Sequence, residues 1–180
     1  MVSTFKMAVS TCDAFEECMQ RVLNGLQEKG FKLNLKSEQT KAIRHLYEGR
    51  DILAVLPTGY GKSLIFQILV MLKNTKKRSP TERHSVLVVC PLVSIVCDQN
   101  NKAESMGLTA CNLSEKLDKI DEVEAGNYEI VYTSAESALD ERFLCVLKKD
   151  SVFTRGVLAC VVDESHTLET CTGLRLDVYY

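Results

Sequence analysis

Short apolar runs alternate with amphipathic segments along most of the chain. Four runs have the length and composition of buried strands, at residues 52–56, 86–90, 130–133 and 157–162. Residues 108–113 could add another short strand. Because these runs are apolar on both faces, they are typical of parallel strands covered by helices on each side.

Segments with helical spacing lie between and before these runs. The first extends from Cys12 to Gly30, and a second begins at the N-cap candidate Ser37, buries Ala42, Ile43 and Leu46, and ends before Gly49. Further helices are predicted over residues 64–72, 93–103, 114–123 and 137–148. The alternation of strands and helices predicts an α/β fold, with a parallel sheet and helices on both faces.

A phosphate-binding loop follows the first apolar run. Residues 56–63 read Leu-Pro-Thr-Gly-Tyr-Gly-Lys-Ser, with Leu56 where the full pattern has its first glycine. Backbone N–H groups of such a turn and of the next helix converge on phosphate oxygens, Lys62 adds a positive charge, and the Ser63 hydroxyl can bind Mg²⁺. The sequence therefore predicts a nucleoside triphosphate site.

Two adjacent carboxylates, Asp163 and Glu164, follow the last apolar run. An Asp at a strand end can hold Mg²⁺ opposite Ser63, and the adjacent Glu can activate the attacking water. In a parallel sheet, ligands collect at the carboxyl ends of the strands, so we expect both elements at one edge. His166 is either structural or a sensor of bound nucleotide.

Composition and charge narrow the class of protein. The chain has 180 residues, 46% of them hydrophobic and 26% charged, with a net charge of −2, which is ordinary for one globular domain and neither supports nor excludes DNA binding. The eight cysteines form no Cys-x-x-Cys pair, so we expect most to be reduced core residues of an intracellular protein. Secretion and membrane insertion are not expected, and the basic residues 73–84 are more typical of a solvated loop than of a nucleic-acid patch.

Three motifs together resemble the first motor lobe of superfamily-two helicases, and within that group the RecQ family of DNA helicases. Residues 57–67 resemble motif I, and residues 163–166 resemble motif II with Ser165 where Ala is usual. Residues 88–99, with their Pro-Leu-x-Ser and Asp-Gln, resemble motif Ia. The resemblance extends over residues 30–166 and implies a RecA-like P-loop NTPase lobe that is incomplete at its C-terminal end.

The resemblance implies ATP and Mg²⁺ as cofactors and assigns roles to particular residues. Lys62, Asp163 and Glu164 would be catalytic, and Ser63 and Asp163 would hold Mg²⁺. Gln39 would pair with the adenine edge, and Lys36, which replaces the usual Arg, would lie against the ring. The implied ATP-binding residues are Lys36, Gln39, Pro57, Thr58, Gly59, Tyr60, Gly61, Lys62 and Ser63. The candidate nucleic-acid contacts are Ser94, Gln99 and Ser134, each of which could equally be a local cap or turn residue.

The resemblance also sets the expected organisation and partners. We expect an N-terminal helical segment over residues 1–29 and the helicase ATP-binding domain over residues 30–180, acting on single-stranded or duplex DNA together with a second RecA-like lobe, in the nucleus. Cys171 stands near the position of the family's Trp, and the chain has no Trp and ends before the second lobe, so we expect a fragment that is nearly inactive alone. Two alternatives remain open, a nucleotide-binding module without turnover and another superfamily-two motor.

Overall fold

The computed structural model describes residues 11–57, 59–76, 83–90, 93–114 and 117–163, without the side chains of residues 11–13 and 93–95. The helices are α1 Thr11–Glu28, α2 Ser37–Tyr47, α3 Lys62–Asn74, α4 Val93–Ser105, α5 Ile120–Glu124, α6 Ala135–Ala138, α7 Glu141–Lys148 and α8 Val152–Gly156. The strands are β1 Ser85–Val89, β2 Ala110–Asn112, β3 Ile130–Thr133 and β4 Val157–Val162. No helix in this part of the chain is long and apolar enough to cross a membrane.

The four strands form one parallel sheet in the order β2-β3-β1-β4. β1 lies inside the sheet and pairs with β3 on one side and β4 on the other. Every connection between parallel neighbours must cross over the sheet, and the helices between the strands supply these crossovers. The predicted α/β architecture is confirmed.

Helices cover both faces of the sheet. On one face, α3 and α4 bury residues such as Phe66, Val70 and Val96 against Val86 and Tyr132. On the opposite face, side chains of α5, α7 and α8 pack against Leu87 and Val131. A further layer forms where α1 and α2 pack on the outer side of α3. The start of α3 is thus held between the sheet and this outer layer.

The prediction of a strand at residues 52–56 is wrong for this structure. These residues have no pairing partner among the described strands, and Leu53 and Val55 are 67% and 81% exposed. A cavity of about 640 Å³ separates them from β4. Since a strand is defined by its ladder of hydrogen bonds, an apolar run without a neighbour about 4.8 Å away cannot form one.

β4 also differs from the prediction of a buried strand. It lies at one edge of the sheet and faces the same cavity, so its side chains are half-buried or exposed, with Val162 at 45%. The other predicted strands are confirmed within a residue or two, including the short β2.

Three helix predictions need correction. Ser37 is the first residue of α2, and its N-cap is Lys36. The helix predicted over residues 114–123 is reduced to α5, of five residues. The helix predicted over residues 137–148 is interrupted because the Asp140 carboxylate accepts a hydrogen bond from the Arg142 N–H and starts α7 there.

The expectation that most cysteines lie in the core is correct for three of the six cysteines whose side chains are described. Cys18, Cys90 and Cys111 are buried, and all six are free thiols. The exposed ones are Cys97, Cys145 and Cys160.

Candidate functional site

The phosphate loop, residues 57–61, leads directly into α3. Gly59 and Gly61 have φ angles of +77° and +80°, in the left-handed region that suits glycine. Gly61 is the N-cap residue of α3, and no side chain caps the helix there. An uncapped helix start presents backbone N–H groups and the positive end of the helix dipole, which suits a phosphate.

Gly61 is also required by a close approach to α2. A Cβ atom added at Gly61 would lie 2.8 Å from Nε2 of Gln39 and 3.3 Å from Cδ1 of Leu64. No side chain fits in this space without displacing Gln39. The chemistry of the loop, with two left-handed glycines and a bare helix start, therefore fits a bound phosphate chain.

Gln39 is the residue of α2 that holds the loop. Its Nε2 donates to the carbonyl oxygens of Tyr60 and Gly61, at 2.9 and 3.1 Å. Its Oε1 accepts from the backbone N–H of Lys36, at 2.9 Å. The side chain is buried. Adenine reading by Gln39 remains a prediction.

A second contact ties the loop to α2 at the surface. The Tyr60 hydroxyl donates to Oε2 of Glu38 at 2.7 Å, and Nζ of Lys36 lies 3.5 Å from the centroid of the Tyr60 ring. The hydrogen bond from Tyr60 lowers the pKa of Glu38, and the same bond raises the pKa of Tyr60. Lys36 thus stacks on a loop residue in this structure, and Glu38, which the sequence did not single out, completes the contact.

Lys62 and Asp163 are brought together although they come from distant parts of the chain. Both line the cavity between residues 52–56 and β4. Lys62 is the first residue of α3, and Ser63 follows it. Asp163 comes directly after β4, and its N–H donates to the carbonyl oxygen of Val89 at 3.0 Å, which fixes its backbone to β1. A hydroxyl and a carboxylate are oxygen ligands of the kind that Mg²⁺ prefers.

The three candidate nucleic-acid contacts differ in what the structure shows of their surroundings. Gln99 is half-buried, and its Nε2 donates to Oδ2 of Asp163 at 3.1 Å. The Ser134 hydroxyl is buried and caps α6 by accepting from the N–H of Ser137, at 3.1 Å. Ser94 begins α4, but its side chain lies outside the described residues. Ser134 therefore has the local capping role that the sequence left open.

Several predicted site residues lie outside the described residues. They are Thr58, Glu164, His166 and Cys171. Their predicted roles rest on the sequence.

The sequence analysis did not assign Tyr132, Cys90 or Gln67 to this site, although all three are buried. Tyr132 is fully buried on β3, and burial raises the pKa of its hydroxyl. Burial also raises the pKa of Cys90 to about 12, with the Asp163 carboxylate as the second cause. Gln67 is fully buried on α3. Its amide interrupts an apolar face four residues after Ser63, and that interruption is the signal that could have identified it.

Comparison with known proteins finds similar sequences among helicases. The family model described as DEAD/DEAH box helicase matches residues 36–177. A protein of Arabidopsis thaliana named ATP-dependent DNA helicase Q-like SIM is 30% identical over 86% of this chain and 17% of its own length. The protein R290 of Acanthamoeba polyphaga mimivirus, named as an ATP-dependent RNA helicase, is 27% identical over 75% of this chain and 23% of its own length. The chain thus spans about a fifth of the length of these relatives.

A solved structure shares the fold. The helicase MrfA, crystallised with DNA and AMPPNP, superimposes with a TM-score of 0.57 at 19% identity, over 86% of this chain and 22% of that one. This likeness shows that the parallel sheet and its helices have a RecA-like α/β fold.

Proposed function

Because the chain belongs to the DEAD/DEAH box helicase family, we propose that it is the ATP-binding motor lobe of a RecQ-like DNA helicase. In this proposal the whole protein couples ATP hydrolysis to movement along single-stranded DNA and to separation of duplexes. The observation that supports it most directly is the convergence of Lys62 and Asp163 on one cavity beside an uncapped helix start. A phosphate chain and its metal ion need this combination of charges.

The proposed roles follow from the positions of the side chains. Lys62 binds the β and γ phosphates, and Ser63 and Asp163 hold Mg²⁺, which when bound neutralises charge on the phosphate oxygens. Glu164 activates the attacking water, a role that rests on its place in the sequence after Asp163. Val89 anchors the backbone of Asp163, so the carboxylate needs little reorganisation when the metal ion binds.

Recognition of adenine requires a change at Gln39. All of its hydrogen bonds described above run to the loop and to Lys36. To pair with the adenine edge, its amide must therefore release Tyr60 and Gly61. We propose that nucleotide binding exchanges these contacts and that Lys36 leaves the Tyr60 ring for the base.

Nucleic-acid contact in this proposal falls mainly to Ser94, whose role rests on the sequence, and to backbone groups. Ser134 is occupied as a cap, and Gln99 contacts Asp163. Contacts through short hydroxyls and amides reach the phosphate backbone and read no sequence. The DNA in the MrfA crystal and the names of the Q-like relatives support DNA as the substrate.

The decisive test is substitution of the two charged residues in the full-length protein. Lys62→Ala should abolish DNA-stimulated ATP hydrolysis, because the phosphates lose their positive partner. Glu164→Gln should retain ATP binding and lose hydrolysis. Lys102→Ala, which removes an exposed lysine on α4, is the matched control and should behave as wild type. Unchanged turnover in Lys62→Ala would overturn the assignment, and equal loss of binding and hydrolysis in Glu164→Gln would refute its role.

Two other functions are separated by simple measurements. The relative named as an RNA helicase favours an RNA motor as the main alternative, and competition between single-stranded DNA and RNA for the full-length protein distinguishes the two. For the 180-residue chain alone we expect weak nucleotide binding and negligible hydrolysis. This is because an arginine from a second lobe accelerates the reaction by roughly 10³–10⁵. If the full-length protein also binds ATP without hydrolysing it, the chain is a nucleotide-binding module and not part of an enzyme.

A further inference from the structure

Gln99 occupies a position that a nucleic-acid contact does not explain. Its Nε2 lies 3.1 Å from Oδ2 of Asp163. A carboxylate only accepts hydrogen bonds, so the amide must present its nitrogen to Asp163 and its oxygen to the other side. That oxygen, Oε1, is buried and has no hydrogen-bond partner among the described residues.

An unpartnered buried oxygen lowers stability, whereas an apolar side chain of the same size would not. Packing alone therefore favours methionine or leucine at this position. The hydrogen bond to Asp163 is the interaction that accounts for an amide.

A hydrogen bond to the backbone of Gln99 also holds this residue in place. The Tyr132 hydroxyl donates to the backbone oxygen of Gln99 at 3.4 Å, which joins α4 to β3. The Gln67 side chain lies beside the same hydroxyl and lowers its pKa, against the larger effect of burial. Gln67 belongs to α3, one turn after Ser63. The Gln67 amide makes no hydrogen bond within the described residues, so the hydrogen-bonded contacts run from Tyr132 through Gln99 to Asp163.

We propose that Gln99 is a positioning residue that orients the Asp163 carboxylate for magnesium. This inference rests on the proposed function, because it deepens the role of Asp163 in the same site. The amide restrains the carboxylate through its hydrogen bond to Oδ2. Because α4 also carries Ser94 near its start, a displacement of α4 moves the group that holds Asp163.

The test measures magnesium dependence by nucleotide binding, without turnover. A fluorescent ADP analogue is titrated onto the full-length protein at a series of Mg²⁺ concentrations. In Gln99→Met, which keeps the length of the side chain and removes the amide, the Mg²⁺ concentration for half-maximal binding should rise about 10-fold or more, as is usual when an outer partner of a metal ligand is lost. Nucleotide affinity without Mg²⁺ should not change.

Asn101→Ala is the matched control, since it removes an exposed amide from the same helix. It should leave both quantities at their wild-type values. In an Asp163→Ala background, Gln99→Met should have no further effect, because the group that it positions is absent. A thermal unfolding curve for each variant checks that the fold is retained, and Gln99→Ala serves as a second variant.

The possible results distinguish the positioning role of Gln99 from the proposed ATP-dependent function. Wild-type protein that binds no nucleotide overturns the proposed function. Normal nucleotide binding with an unchanged Mg²⁺ requirement in Gln99→Met overturns the positioning role alone. Weaker binding of single-stranded DNA with an unchanged Mg²⁺ requirement would make Gln99 a nucleic-acid contact. Loss of folding in both Gln99 variants would assign it a structural role and likewise overturn the proposal.

Discussion

Residues 52–56 and β1 are alike in sequence and opposite in structure. Both are short runs of Val, Leu and similar residues, yet Leu87 in β1 is 5% exposed and Leu53 is 67% exposed. β1 has a paired strand on each side, whereas residues 52–56 face a cavity. An apolar run therefore supplies the propensity for a strand, and pairing partners from elsewhere in the fold decide whether the strand forms.

The matched leucines provide the strongest test of this contrast. Leu87→Ala should lower the free energy of unfolding by about 2–5 kcal/mol, because it leaves a cavity in a packed core. Leu53→Ala should change it by less than about 0.5 kcal/mol, as expected for an exposed side chain. Urea titration of the 180-residue chain measures both values. Similar losses for the two variants would mean that residues 52–56 are packed in solution.

The two loop glycines, Gly59 and Gly61, differ in whether a residue from outside the loop lies against them. Both have positive φ angles, so Ala at either position should cost about 1–2 kcal/mol of backbone strain. No described atom lies within 4 Å of a Cβ added at Gly59, but one at Gly61 would displace Gln39 from its carbonyl partners. Gly61→Ala should therefore lose about 1 kcal/mol more, for the hydrogen bonds to the loop.

The same denaturant titration compares the two variants, and nucleotide binding provides a second measurement. Gly59→Ala is the internal control for strain alone. Equal losses at Gly59 and Gly61 would show that the contact with Gln39 contributes nothing.

The smallest effect is expected where the loop meets α2 at the surface. The Tyr60 hydrogen bond lowers the pKa of Glu38 from its ordinary 4.5, so its contribution is present above that pH and is lost as the pH falls through the lowered pKa. The pKa of Tyr60 is raised above 10.0, so the contribution also persists up to that pH and is lost above it. Between these limits, Tyr60→Phe should melt slightly below wild type.

Melting curves at pH 7 and near pH 3 test this dependence. The difference between Tyr60→Phe and wild type should shrink at the lower pH, because Glu38 is then protonated. A difference that stays constant from pH 7 to pH 3 would exclude Glu38 as the partner.

Much of the fold could be predicted because its signals are local. β3 and β4 begin and end at the predicted residues, and α3 follows the Gly-Lys-Ser turn as expected. The prediction failed at residues 52–56 because pairing depends on distant strands. It also missed the break at Asp140, although an Asp at that position is a common helix start.

The sequence predicted which residues belong to the site better than it predicted which contacts they make. The rule for parallel strands predicted Lys62 and Asp163 at one edge, and both line one cavity, although residues 52–56 do not form the strand that the rule assumed before the loop. It could not place Gln99 on Asp163, because that contact joins α4 to the end of β4 across the sheet. Gln39 was assigned to adenine, and its burial under the loop depends on how α2 packs beside α3.

The cavity beside β4 also affects how this chain behaves at high concentration. The outer edge of β4 presents backbone N–H and C=O groups without a neighbouring strand among the described residues, next to exposed Leu53, Val55 and Val162. Apolar edges of this kind pair with strands of other molecules and promote aggregation unless something covers them. We therefore expect this edge to limit the solubility of the isolated chain, and charged substitutions at Leu53 or Val55 to increase it.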